Sequence, residues 1–199
     1  MNKDEQIIHL AKEQNGFLWT NQVIKENIRV ETLNSMVKRG RLEKISHGLY
    51  ALPNVLLDEY FLLQQKCSKG VFSYGTALYF LELSNRVPNI IHLTVHSGYN
   101  TRHITKTTQK VNFHYVKKEI LELGKTTILS PQGHPINSYN AERTLCDLIK
   151  HKKKMDMQLF GDAVKFYFES KKKNIRRLMK YAKQMGIEDK VRTYTEVIL

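Results

Sequence analysis

The feature that most constrains this chain is a change of hydrophobic period at Gly40. Upstream, apolar residues recur at helical spacing in short blocks. Downstream they alternate, as a strand requires. Residues 4–14 gather Ile7, Ile8, Leu10 and Ala11 mostly on one helical face, and Asn15-Gly16 supplies the left-handed stop. Phe17-Leu18-Trp19 is a short extended apolar piece. Thr20 has the chemistry of an N-cap for a helix over 21–26 that buries Val23 and Ile24. A turn at Asn27-Ile28 leads into a third helix, 30–39, ended by Gly40. Residues 41–45 then alternate, Ser46-His47-Gly48 turns, and 49–52 returns. Helices followed by a tight hairpin are the element order of a winged helix-turn-helix.

Pro53-Asn54 breaks this pattern and sets the expected boundary: a winged helix-turn-helix over 1–53 and a second domain over 54–199. In the second domain, 58–67 is apolar and helical. Ser73 can cap a helix over 75–83 that turns Ala77, Leu78, Phe80 and Leu81 to a core. Strands are expected over 90–95, 110–116, 126–129 and 134–138, with Pro131-Gln132-Gly133 as turn chemistry. Beyond Ala141 the period is helical: 141–151, 156–170, 172–185 and 188–197. The expected class is therefore α+β, an N-terminal winged helix-turn-helix followed by a mixed α/β domain that ends in basic helices.

A helix that reads DNA needs one packed face and one polar face able to reach base edges. At ~100° per residue, Val30, Leu33, Met36 and Val37 fall on one side. Arg29, Glu31, Thr32, Asn34 and Ser35 form the expected base-proximal set, because this motif usually inserts the N-terminal half of its second helix. Lys38, Arg39 and Arg41 are assigned to phosphate, and Lys44, Ser46 and His47 to the wing. Glu31 repels phosphate, so it either accepts from a cytosine amine or opposes the helix dipole.

Charge points the same way but sits elsewhere. The chain carries 32 Lys and Arg against 19 Asp and Glu, a net +13. Residues 1–52 hold 8 basic and 6 acidic side chains; the rest hold 24 and 13. Such an excess suits a polyanionic partner. The densest run includes Lys152, Lys153, Lys154, Lys171, Lys172, Lys173, Arg176 and Arg177, expected to meet DNA backbone or a partner surface.

Catalytic and cofactor motifs are missing. Gly124-Lys125-Thr126 resembles the end of a phosphate loop, but Glu119 stands where its first glycine belongs and a strand follows. His92 and His96 would be ~13 Å apart on a strand, so one packed and one exposed histidine is expected rather than a metal pair. Glu142, Arg143 and Asp147 are expected to cap and pin a helix. Cys67 and Cys146 are expected to be buried thiols, with neither disulfide nor zinc. No enzyme activity, metal or cofactor is expected. With no apolar run of ~20 residues and no signal pattern, a cytoplasmic protein is expected.

Residues 33–52, with SMVKRGRLEKISHGLYAL as their later part, resemble the winged-helix segment of the AbiEi antitoxin family. Residues 72–78 (FSYGTAL), 83–88 (LSNRVP), 91–95 (IHLTV) and 140–148 (NAERTLCDL) are similar to that family's second domain. The resemblance implies a bacterial type IV toxin–antitoxin or phage-defence system. Its implied partners are double-stranded operator DNA, bound as inverted repeats to repress the shared promoter, and a cognate nucleotidyltransferase-like toxin, opposed without a stable complex. The alternative is a nucleic-acid-processing enzyme or RNA-binding protein targeted by the winged helix. Free protein is expected to be monomeric and to pair on DNA.

Overall fold

The computed structural model describes residues 2–102, 104 and 110–198, and the chain divides into two compact units, Met1–Leu57 and Asp58–Leu199. The division falls after Leu57 rather than Pro53. Val55 explains part of the difference: its amide reaches the Leu52 carbonyl and its methyls lie against Gly16, so the segment past Pro53 still belongs to the first unit.

The first unit holds α1 (Lys3–Glu13), β1 (Phe17–Trp19), α2 (Thr20–Lys25), α3 (Val30–Lys38), β2 (Glu43–Ser46) and β3 (Leu49–Ala51). Asn2 caps α1 by accepting from the Asp4 amide, and the Glu5 carboxylate accepts from the Asn2 amide. The extended piece 17–19 is a true strand. It pairs antiparallel with β3, giving the sheet order β1-β3-β2. Ile7, Ala11, Leu18, Val23, Ile28, Leu33, Met36, Leu42 and Tyr50 form one apolar core. Each large member contributes roughly 1.5–3 kcal/mol by leaving water. Two local expectations fail. Ile24 is 55% exposed, since α2 is too short to bury two faces. Thr20 is not the cap: Trp19 precedes the helix, and the Gln22 side chain accepts from the Trp19 amide.

The second unit is built on a five-stranded mixed sheet of order β6-β5-β4-β8-β7, from β4 (Val71–Phe72), β5 (Ile91–His96), β6 (Val111–Val116), β7 (Lys125–Leu129) and β8 (Pro135–Tyr139). β5 and β6 run parallel, as do β4 and β8; the other pairs are antiparallel. The helices are α4 (Glu59–Lys66), α5 (Tyr74–Phe80), α6 (Lys118–Leu121), α7 (Ala141–Lys150), α8 (Met157–Glu169), α9 (Ile175–Gln184) and α10 (Glu188–Ile198). The two-residue β4 and the one-turn α6 are too short to leave a periodic signal. Ser73 precedes α5 without capping it; its hydroxyl instead accepts from Thr94.

α7 is the central helix. Asn140 caps it by accepting from the Arg143 amide, and residues 142–149 are all buried. It packs against α5, α8, α9 and α10, with Leu145, Leu148, Ile149, Phe160, Val164, Leu178 and Val191 among the core residues. The basic C-terminal helices are therefore core builders whose lysines point away from the core. Polar groups thread this interior. Arg143 is fully buried, donates to Asp147 at 3.1 Å and to the carbonyls of Ile120 and Leu123, and lies 4.1 Å over the Tyr139 ring. Gly124 approaches Arg143 so closely, at φ +74°, that a side chain there would collide with it. Asp58 caps α4 and also engages Ser130 and His134, tying α4 to the β7–β8 turn.

Candidate nucleic-acid interface

α3 has the two-faced construction that groove recognition requires. Leu33 and Met36 are fully buried, and Val30 and Val37 half-buried. Arg29, Glu31, Asn34, Ser35 and Lys38 are exposed on the other side, with Thr32 half-buried. Asn27, at φ +56°, makes the turn between α2 and α3, and the Ile28 amide returns to the Val23 carbonyl. Gly40, at φ +68°, ends α3, and the Arg41 amide closes on the Met36 carbonyl. Both ends of α3 are thus fixed by backbone bonds, which leaves its outward side chains uncommitted to holding the fold.

The phosphate-assigned arginines differ in state. Arg39 and Arg41 both reach the Asp4 carboxylate at 3.0 Å, and Arg39 also donates to the Ser35 carbonyl at 3.3 Å. Asp4, largely buried near the start of α1, therefore clasps the end of α3. Lys38 remains exposed beside them.

The β2–β3 hairpin carries the other candidates. Lys44 and His47 are exposed and Ser46 half-buried, with an irregular register between Lys44 and Ser46. Thr20 acts here: its amide and its hydroxyl both donate to the Gly48 carbonyl, at 2.9 and 3.3 Å. This ties the hairpin turn to the start of α2, so α3 and the hairpin are held by one small framework.

In the second unit Lys153, Lys154, Lys171, Lys172 and Arg176 are exposed. Lys173 is half-buried. Lys152 lies over the rings of Phe160 and Tyr194, at 5.1 and 5.6 Å. Arg177 is committed: its guanidinium meets the buried Glu142 carboxylate through two nitrogens at 2.9 Å, and the pairing raises its pKa. Arg177 thus serves the fold.

Sequence reasoning missed a cluster of rings. His92 and His96 are both half-buried rather than one packed and one exposed; His92 bonds His114, at 2.9 Å on the neighbouring strand, and Tyr74 bonds His151 at 2.9 Å. His96 instead bonds the Ser97 carbonyl. Only the pairing of β5 with β6 brings His92 and His114 together, and their separation along the chain hides it. The one available signal was histidine within otherwise apolar strand patterns. Cys67 and Cys146 are buried and free.

Residues 5–53 match the family described as "Transcriptional regulator, AbiEi antitoxin". No curated protein matches the chain. Among solved structures, the crystal structure of the RV2827C protein from Mycobacterium tuberculosis is similar, with a TM-score of 0.59 at 12% identity, covering 92% of this chain and 72% of that one. At that identity the likeness concerns the fold alone. No helix among the described residues is long and apolar enough to cross a membrane. The matched segment, residues 5–53, contains α3 and the β2–β3 hairpin.

Proposed function

We propose that the first unit is a winged helix-turn-helix with α3 as its recognition helix and the β2–β3 hairpin as its wing. In this reading the protein is a cytoplasmic, non-enzymatic antitoxin of a type IV toxin–antitoxin or abortive-infection system. It binds inverted repeats in its own promoter, one copy per half-site, represses its operon and counteracts a nucleotidyltransferase-like toxin. Asn34 and Ser35 face base edges, with Arg29, Glu31 and Thr32 beside them. Lys38, Lys44 and His47 lie nearer the backbone. The observation that carries the reading is the polar outer face of α3, inside the segment that matches the antitoxin regulators.

Lys171, Lys172 and Arg176 add sequence-independent phosphate contacts. Each neutralised phosphate steepens the salt dependence by about 0.9 in log–log slope, and such contacts offset the roughly 1–6 kcal/mol needed to bend a site through 40–90°.

Toxin rescue and promoter repression are separable tests. In bacteria expressing a nucleotidyltransferase-like toxin from the same operon, the parent chain restores growth and silences a promoter reporter. Asn34→Ala with Lys38→Ala loses repression and keeps rescue. A variant that still represses, or a parent chain that fails to rescue, overturns the corresponding half of the reading.

A further inference from the structure

The second unit contains a cavity of about 430 Å³, lined by Tyr74, His92, His114, His151, Asn112 and Lys154 among others. A second cavity of about 480 Å³ shares His151 and Lys154 and adds Lys150, Lys152, Lys153 and Lys190. The shared residues make them neighbouring compartments, one lined by rings and one by lysines. Each is within the size range of small-molecule sites, and far larger than an ion needs.

The ring compartment has hydrogen-bonding capacity that the protein does not use. His92 Nδ1 and His114 Nε2 bond each other, so one donates and the other accepts. Burial lowers the pKa of both, that of His114 to about 4, which keeps the pair uncharged at neutral pH. Whichever way that proton points, the two remaining nitrogens present one donor and one acceptor. At His151 the Asp147 carbonyl, which can only accept, lies 3.2 Å from Nδ1. A proton on Nδ1 satisfies both that carbonyl and the Tyr74 oxygen, leaving the Tyr74 O–H and His151 Nε2 unspent. The free nitrogens, His92 Nε2, His114 Nδ1 and His151 Nε2, are not among the buried polar atoms sealed off without a partner, so solvent or a ligand can reach them.

The rings are also arranged in layers. Tyr74 stacks on His114 with centroids 4.0 Å apart and planes 29° apart, and His92 lies 14° from the plane of His114. Tyr74 is held at φ +48°, a backbone state that costs a non-glycine residue energy and recurs at ligand sites. Beside it, Gly75 lines the cavity although an added Cβ would meet nothing closer than a Leu159 methyl at 4.0 Å. A helix would be steadier with alanine there; glycine keeps the compartment open.

We propose that these joined compartments bind a nucleoside phosphate, with the base against Tyr74, His92, His114 and His151 and the phosphates on Lys150, Lys153, Lys154 and Lys190. A neutral donor–acceptor edge beside stacked rings suits a heterocyclic base, and adjoining lysines suit the charge such a base carries on its sugar. Metal binding suits the cluster less, because the facing nitrogens of His92 and His114 are engaged in a hydrogen bond with each other. The site lies in the unit without α3, so it stands or falls separately from the duplex reading.

The test is calorimetric titration of the full chain with the four ribonucleoside triphosphates, inorganic triphosphate, adenosine, and an eight-nucleotide single-stranded RNA. Saturable binding of a nucleoside triphosphate, at least about tenfold tighter than inorganic triphosphate, is expected, because stacking of one base is typically worth that much. Preference for the RNA over free nucleotides also supports the site and assigns the phosphate to a strand. Tyr74→Phe and Lys153→Ala/Lys154→Ala should each weaken binding, with unchanged melting temperature as the fold control. Equal affinity for inorganic triphosphate and nucleotide, no saturation by any nucleotide or RNA, or binding indifferent to both variants would overturn the proposal.

Discussion

The two units treat polar residues in opposite ways. In the first, an apolar core runs from Ile7 to Tyr50, the largely buried Asp4 carboxylate lies at its margin, and the chemistry-bearing side chains of α3 are turned out. In the second, Arg143, Asp147, Glu142, Asp58 and His134 are all buried, and the lysines are left to the surface. An outward polar face can be altered without touching the fold, which is what a sequence-reading helix needs. A buried ionic network adds little net stability compared with a packed apolar core, but losing one partner strands the other in a low dielectric. The first unit is thus free to vary its contacts, and the second is locked by its own.

The largest effect should fall on that lock. Arg143→Met leaves Asp147 and two backbone carbonyls without their donor, and urea denaturation should show a loss of about 3–5 kcal/mol. A loss below about 1 kcal/mol, the level of a surface pair, would break the contrast between the units.

Next in size is the clasp in the first unit. Asp4→Ala removes two partly exposed ion pairs and should cost about 1 kcal/mol in thermal or urea unfolding. It also frees Arg39 and Arg41 for phosphate. Duplex affinity should therefore rise and the log–log salt slope steepen, by up to about 0.9 for each arginine that finds a phosphate. Unchanged affinity would place these arginines away from the backbone.

The legibility of the sequence follows the same division. Around Gly40 the alternation of period is local, so helices, hairpin and the inner and outer faces of α3 could be read within a few residues. The clasp could not, because Asp4 and Arg39 are brought together only by the packing of α1 on the rest of the unit. In the second unit, α7 and β5 were readable from their apolar runs, while β4 was too short. The ring cluster depends on Tyr74, His92, His114 and His151 converging from four elements or connections, and no local pattern encodes that. By sequence Arg177 is one more cation of the basic run; in the fold the buried Glu142 carboxylate commits it. Charge can be counted from sequence; its commitment requires the fold.

The smallest effect sharpens the contrast by pH. An unfolded histidine protonates near 6.5, whereas burial holds folded His114 down to about 4. Between those values the unfolded chain binds more protons, so this group's contribution to stability is present above pH 6.5 and is lost as pH falls towards 4. His114→Gln should flatten the acid side of the stability profile in that window. An unaltered slope would show that His114 titrates alike in both states.

The central claim, that the outer side of α3 reads duplex sequence, is tested most directly by selecting duplexes from a randomised pool with the full chain and titrating the winners. The parent should enrich an inverted repeat. Asn34→Ala should lose about 1–3 kcal/mol on that repeat while keeping its melting temperature and its weak binding to unrelated duplex. A parent that enriches nothing, or an Asn34→Ala chain that binds the selected repeat as tightly as the parent, would contradict the account.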